Sequence, residues 1–448
     1  MPRSRRPLSR RTAHVRVMVY PNITLLSALE ADSYCHYLNV CLRQLNRLRN
    51  DLFFYLVLPQ PVELLADIPN TEVLTLPVPG YPPMMRVHTD TAAIKALFAK
   101  TRDVDVVWTH QPEHTHALRV VADTTTHRPR WLGYAHWFDV EEVCSWRGSF
   151  RENISGILEM DKCGINTNSQ AVLVGENASR WFAPSVVKQI EQRLYVMPPP
   201  VATADVADGI ARHTEKTIVW NHRIDESKSW SHFLSLMRRL RSSRKDFRVW
   251  APQMKGASPE RWIDTTKHDK KDYLEALRRC RLGVGMPQPY RGWSIAITDC
   301  LMKGVPVVLW GEDYYRELYD DALCATTDDE MLAHINTLLD TPRIRNRAAN
   351  AALAFAKTTL ATDRTMRVFS SWIDEALDAM PKTHTARTQQ LARLIQKRGR
   401  MTKQELVAET KWGSFAFTPY RRALLERGIV DVGDGTPTYE WRGRTGVK

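Results

Sequence analysis

The sequence predicts an α/β protein: two doubly wound parallel-sheet domains, then a small unit of three helices and a hairpin. Three observations lead there. From residue 14 to about 380, short β-branched and apolar runs alternate with segments of helical period, as in repeated strand–helix–strand units. The run at 51–58 (DLFFYLVL) is apolar almost without a break, which suits a strand covered by helices on both faces. Three consecutive prolines at 198–200 form a stiff break, so a first domain spans 14–200 and a second 201–381.

In the first domain, residues 14–20 (HVRVMVY) read as the opening strand. Residues 31–50 have helical spacing, with Tyr34, Leu38, Cys41, Leu42, Leu45 and Leu48 on one face. The strand at 51–58 ends at Pro59, and 73–76 is another short strand. A helix is expected over 92–100. The strand at 104–109 runs into the polar cluster HQPEHTH, and the strand at 131–135 ends at His136. Residues 161–169 (DKCGINTNS) form a strand that leads into a helix, with Asn168 or Ser169 as its cap.

The second domain opens with a strand at 216–220 (KTIVW) and a polar loop holding Arg223 and Lys228. Helices at 233–240 and 270–279 flank a strand at 247–251, and 282–286 is a short strand. Then comes YRGWSIAITDCLMKGVPVVLW at 290–310. A small-residue turn enters a helix carrying Asp299, Gly304 stops the helix, and an apolar strand follows Pro306. The N-terminus of such a helix carries unpaired N–H groups that suit an anion. Helices are expected over 328–339 and 343–362, and a last helix runs to about 380.

A polar linker at 382–385 precedes the third unit, 386–448. Residues 388–397 read as a helix, and Thr402 with Glu405 matches a capping box for a second. Thr418 and Pro419 start a third helix over 420–427, stopped by Gly428. Strands at 429–432 and 438–441 surround a Gly-Asp-Gly turn. This order resembles winged-helix domains. The resemblance implies that Tyr420, Arg421 and Arg422 open a recognition helix for DNA.

Composition is that of a globular protein: 448 residues, 43% hydrophobic. No apolar run reaches about 18 residues, so no spanning helix and no stable membrane association are expected. The basic N-terminus lacks an apolar segment behind it, unlike a secretory signal. Seven scattered cysteines without a CxxC pair fit reduced thiols and a cytoplasmic protein, in the host cytoplasm if the chain is viral. His110, His114 and His116 have no companion thiol or carboxylate cluster, so a polar helix start is expected there and no metal.

Charge is segregated. Of a net +13, residues 1–16 carry +6 and residues 382–448 carry +8, which leaves −1 for the body. Solubility would not need that division, whereas binding a polyanion would. The candidate nucleic-acid contacts are Arg5, Arg6, Arg10 and Arg11 in a basic arm (1–13), with Arg398, Arg400, Tyr420, Arg421 and Arg422 near the other end.

The 290–310 stretch resembles the donor-binding segment of retaining GT-B glycosyltransferases of the family-4 type. Their pattern is Glu-Gly-Phe-Gly, four variable residues, a second Glu, and later Gly-Val-Pro-Val-Val. Gly292, Trp293, Ser294, Asp299 and residues 304–308 fall into register, while Arg291 occupies the first acidic position. The resemblance implies two Rossmann-like domains, an acceptor domain followed by a nucleotide-sugar domain, with the helix over 343–362 crossing back to the first. It implies that Asp299 holds the ribose hydroxyls and that the loop through Gly292, Trp293, Ser294 and Ile295 holds the diphosphate. Arg223 and Lys228 would clamp the diphosphate and stabilise the leaving group, and His136 would contact the donor sugar. Arg291 cannot accept a hydrogen bond, so the sugar end should differ from the family; as a donor-site cation it could instead serve the diphosphate, or a DNA phosphate. No essential metal is implied, because the two cations neutralise the donor, a UDP-sugar first among candidates. The pair Asp103 and Asp105 precedes a strand and lies at the wrong end for a metal-bound donor.

A neutral body with two basic ends points to a polyanionic acceptor. The combination resembles bacteriophage enzymes that glycosylate hydroxymethylated pyrimidines in double-stranded DNA, where the base is flipped out and basic segments hold phosphates. Two other readings stay open. One is a glycosyltransferase acting on a cell-surface glycan or protein, its ends on an anionic membrane; residues 1–13, with two prolines, offer no amphipathic helix for that. The other is a non-enzymatic DNA-binding regulator with a degenerate transferase body, which Arg291 favours.

Overall fold

The computed structural model describes residues 15–21, 33–76, 90–101, 104–124, 129–136, 150–211, 215–256, 258, 260–287, 291–311, 313–319, 323–378, 385–410, 424, 429–432 and 438–441. The predicted contacts at Arg5, Arg6, Arg10, Arg11, Tyr420, Arg421 and Arg422, together with Asp103, lie outside these residues.

The first sheet holds β1 (Val15–Tyr20), β2 (Leu52–Leu58), β3 (Thr71–Thr75), β4 (Val106–Thr109), β5 (Arg130–Ala135), β6 (Lys162–Ile165) and β7 (Leu194–Val196). They pair in parallel in the order β3-β2-β1-β4-β5-β6-β7. Alternation explains why this sheet needs helices on both faces. Leu52, Phe54 and Leu56 point to one core, while Phe53, Tyr55 and Val57 point to the other. Fully burying one such side chain contributes roughly 1.5–3 kcal/mol. The second sheet holds β8 (Thr217–Val219), β9 (Arg248–Trp250), β10 (Ile263–Asp264), β11 (Leu282–Gly285), β12 (Val307–Trp310) and β13 (Leu323–Ala325). Its order is β10-β9-β8-β11-β12-β13, again parallel.

Parallel sheets of this kind place their ligand crevices at the carboxyl ends of the strands. Here those ends carry His110 after β4, His136 after β5, Asn166 after β6 and Asn221 after β8. Asp105 is at the opposite end: its carboxylate accepts the Arg16 N–H at 2.8 Å, beside the start of β4.

The chain passes from the first sheet to the second at Val201 and returns at Ala361, and the two crossings lie side by side. The Val201 N–H donates to the Leu360 carbonyl (2.7 Å), and the Thr362 N–H donates to the Val201 carbonyl (3.0 Å). The sequence predicts one helix over 343–362. The structure ends it at Thr358 and starts another, Thr362–Asp378, because the intervening backbone pairs with Val201 instead. Met366, Phe369, Trp372 and Ile373 of that final helix complete the core of the first sheet, with the Phe369 ring 4.1 Å from Trp108.

Other differences are local. Thr167, not Asn168 or Ser169, is the N-cap of helix Asn168–Ala178, its hydroxyl accepting the Gln170 N–H. Just before the three prolines, an edge strand the sequence does not announce, β7, runs Leu194–Val196. Helix Phe150–Glu159, which the sequence does not announce, crosses helix Pro112–Asp123 so closely that a Cβ on Gly156 would meet the Pro112 carbonyl oxygen at 1.7 Å. That contact requires glycine. Six cysteines among the described residues are free thiols, five of them buried.

Beyond residue 385, β14 (Arg400–Thr402), β15 (Ile429–Asp431) and β16 (Thr438–Trp441) form an antiparallel sheet ordered β14-β16-β15. Leu391, Ile395, Met401, Leu406, Leu424 and Tyr439 supply its core with helices Thr385–Arg398 and Lys403–Thr410. Thr402 and Glu405 form the expected reciprocal cap: the Glu405 carboxylate accepts the Thr402 N–H (2.7 Å), and the Thr402 hydroxyl accepts the Glu405 N–H (3.2 Å).

Candidate active site

The second-sheet wall begins where β8 ends. Asn221 donates to the Tyr273 hydroxyl (2.9 Å) and to the Ala296 carbonyl (2.8 Å), tying this loop to helix Ile295–Met302. Burial first, then the Asp299 charge, push the Tyr273 phenol well above its ordinary range. It therefore stays protonated and hydrogen-bonds the buried Asp299 carboxylate. His222 is buried, and desolvation and then Lys228 lower it to about 3, against a hydrogen bond to the Val284 backbone. It is neutral near pH 7, with Nδ1 3.4 Å from the Ser294 hydroxyl.

Arg223 is well exposed and lies 3.4 Å from Asp225. Lys228 closes a short 3₁₀ turn, Glu226–Lys228, in which its N–H donates to the Asp225 carbonyl (3.1 Å). Ser229 then takes a left-handed conformation (φ 58°) and donates its hydroxyl to the Pro287 carbonyl. Desolvation, then the Arg223 charge, lower the Lys228 ammonium to about 8, with Asp225 opposing. The two predicted cations thus share one loop, five residues apart, beside the β11 end.

Helix Ile295–Met302 points its N-terminus at the same place. No side-chain cap closes Ser294, so the first-turn amides face outward. The Trp293 ring instead turns into the second core, packing near Tyr315 and Phe355 and donating Nε1–H to the Thr298 hydroxyl at 2.7 Å. What Trp293 offers a ligand is its backbone.

The opposite wall comes from the first sheet. His110 and His136 meet, Nδ1 to Nε2, at 3.2 Å, with Tyr37 and Tyr134 against the His136 ring. Burial lowers His110 to about 3; burial and then His110 lower His136 well below its usual range. Both rings are therefore neutral at pH 7. His114 lies by Tyr20 and His116 pairs with Glu159 at 2.9 Å, so the three histidines of the HQPEHTH cluster point apart. Among the described residues no three His, Cys, Asp or Glu side chains gather as metal ligands.

The two walls touch. The Thr167 hydroxyl donates to the Arg291 carbonyl at 2.6 Å, and the Ser169 N–H and hydroxyl both reach Glu317 at 3.1 Å. Arg291 adopts φ 47°, unusual for a residue with a Cβ and costing about 1 kcal/mol. Its guanidinium lies 3.8 Å from Glu176, on a first-domain helix. Sequence reasoning had no signal for Thr167, Gln170 or Glu317, which matter only because the two sheets meet.

Solved structures share this fold. Sucrose-phosphate synthase from Thermosynechococcus elongatus matches with a TM-score of 0.64 at 11% identity, over 82% of this chain and 100% of its own. The chain has the GT-B fold. A UDP-forming trehalose-phosphate synthase from Burkholderia vietnamiensis matches with 0.60 at 12% identity, covering 81% of this chain and 100% of its own. An E. coli trehalose-6-phosphate enzyme structure, bound with UDP-2-fluoro glucose, matches with 0.57 at 13% identity, over 80% and 98%. No protein-family model matches the sequence, and no curated protein does. The resemblance read from 290–310 thus gains its support from the GT-B fold and not from sequence likeness. Among the described residues, no helix is long and apolar enough to cross a membrane.

Arg398 pairs with Glu409, whereas Arg400 extends from exposed positions of β14. Neither is near the domain seam in sequence or in sheet membership.

Proposed function

We propose that this GT-B protein transfers a sugar from a nucleotide-sugar, most simply a UDP-sugar, to hydroxymethylated pyrimidine bases in double-stranded DNA, with retention at the sugar. The donor half rests on one observation: the cationic loop of Arg223 and Lys228, the open helix N-terminus after Ser294, and Asp299 with its Tyr273 partner all follow the carboxyl ends of strands of one sheet. Asp299 takes the ribose hydroxyls, and the loop Gly292–Ile295 takes the diphosphate. As the bond to the diphosphate breaks, negative charge gathers on its oxygens, and Arg223 and Lys228 stabilise it without a metal. His136, neutral and across the seam, contacts the sugar.

The acceptor half rests on charge. Residues 1–16 and 382–448 carry the whole net positive charge. The antiparallel β14-β16-β15 sheet with its helices supports the winged-helix-like reading of the last unit. Incubation with hydroxymethylated DNA and a panel of nucleotide-sugars, followed by digestion to nucleosides and mass analysis, tests it. A modified nucleoside heavier by one glycosyl unit is expected. Transfer to a glycan or protein with none to DNA would overturn the acceptor assignment.

Lys228 gives the donor site a pH signature. With its ammonium lowered to about 8, the free protein at pH 8 holds about half a proton there. A bound diphosphate favours the charged form, so binding UDP near pH 8 should take up a fraction of a proton at Lys228. UDP affinity should accordingly decline as pH rises through 8. Calorimetry in buffers of different ionisation enthalpy measures both. Buffer-independent heats at pH 8 would place Lys228 away from the diphosphate.

A further inference from the structure

Gln170 stands where the two sheets meet, beside the Thr167–Arg291 contact. It is fully buried in the first turn of helix Asn168–Ala178. Its amide orientation is fixed by chemistry: the Asn166 N–H needs an acceptor, and the Gln170 Oε1 fills that need at 3.2 Å. The amide nitrogen must then face the other way. That way is Gly292, where a Cβ would come within 3.4 Å of Gln170 Nε2 and 3.6 Å of Asn166 Nδ2. Asn166 spends its amide on the His136 carbonyl (2.6 Å), but Gln170 Nε2 is buried with no hydrogen-bond partner. A buried donor left unpaired is costly and calls for an explanation at each occurrence.

We infer that Gln170 reads the sugar of the donor, its amide N–H donating to a hydroxyl oxygen that enters beside Gly292. The inference rests on the donor reading above. Three observations direct it to the sugar. Gln170 belongs to the first-sheet wall and Gly292 to the second, so an oxygen that reaches the amide from beside Gly292 sits where the two walls meet, the place of the transferred group in the donor reading. The neighbouring Arg291 offers no acceptor and turns its guanidinium to Glu176, its carbonyl already taken by Thr167. Finally, the amide is neutral, matching a hydroxyl, while the diphosphate has Arg223 and Lys228. Glycine at 292 puts no side chain against the amide, where a Cβ would already come within 3.4 Å, and the Asn166–Gln170 bond holds the reader in place.

Gln170→Glu is the discriminating change. A glutamate carboxylate still accepts the Asn166 N–H but cannot donate to a hydroxyl. Gln170→Met, of similar length, removes both roles. The experiment measures affinity for UDP and for UDP-glucose, UDP-galactose and UDP-N-acetylglucosamine in the full chain and both variants. The expected result is unchanged UDP affinity, which also reports an intact fold. Affinity for the UDP-sugar that the unaltered protein binds best should fall on the order of tenfold to a hundredfold in both variants. If the variants bind that UDP-sugar as the unaltered chain does, or lose UDP and UDP-sugar alike, Gln170 does not read the sugar. If the unaltered protein binds neither UDP nor any of the three sugars, the donor reading itself falls, and this inference with it.

Discussion

Lys228→Ala is expected to lower the rate of sugar transfer by about two to three orders of magnitude, the range found when one preorganised charge-stabilising donor is removed. The effect should lie mostly in kcat, because charge on the leaving diphosphate grows as the glycosidic bond breaks. Lys228→Arg should recover part of it by restoring the cation, though without the compact geometry of an ammonium. The thermal midpoint should hardly move, since the side chain belongs to no hydrophobic core and ends a short turn whose shape is set by backbone bonds to Asp225 and Glu226. DNA affinity should also be unchanged. A variant that keeps its transfer rate, or loses DNA binding in parallel, would remove Lys228 from the chemistry.

Gly156→Ala should produce the largest loss of stability. The added carbon would lie 1.7 Å from the Pro112 carbonyl oxygen and 2.6 Å from its carbon. These are backbone atoms at the first turn of helix Pro112–Asp123, so no side-chain rotation relieves the clash. Overpacking of this kind costs about 2–3 kcal/mol, which in a domain of this size lowers the melting midpoint by roughly 5–10 °C. Helix displacement also has a chemical readout. Pro112 follows His110 by two residues, and His110 holds His136 at 3.2 Å. The variant should therefore retain UDP affinity, a property of the second sheet, while transfer falls. Unaltered melting in the variant would mean that the helices part without cost.

Most of the fold was readable because the sheets are built from long apolar runs. Residues 51–58 allow no other reading than a strand buried on both sides, and β2 occupies 52–58. Strands that escaped notice are short or carry little burial. β10 has two residues, and β7 has three, of which Tyr195 and Val196 are exposed. Neither offers enough alternation to register as a period. The site divides in the same way. Arg223 and Lys228 stand in one strand-to-helix loop and Asp299 in the helix that follows another, and such patterns are visible along the chain. Thr167, Gln170 and Glu317 acquire meaning only across the seam; Thr167 and Arg291 are 124 residues apart. The orientation of Arg291 was equally hidden, since its left-handed backbone and its turn toward Glu176 depend on the docked helix.

The paired crossings at Val201 and Ala361 set how the crevice opens. The chain runs between the halves in two peptide segments bonded to each other through Val201, Leu360 and Thr362. A strap of two bonded segments bends more readily than it twists or stretches. Opening about that line, like the covers of a book, would part the Thr167–Arg291 and Ser169–Glu317 contacts across the seam. Residues near the spine move least and those at the fore-edge most. A long, stiff partner would have to come in along the fore-edge, and how far the covers spread would limit how deep it could reach.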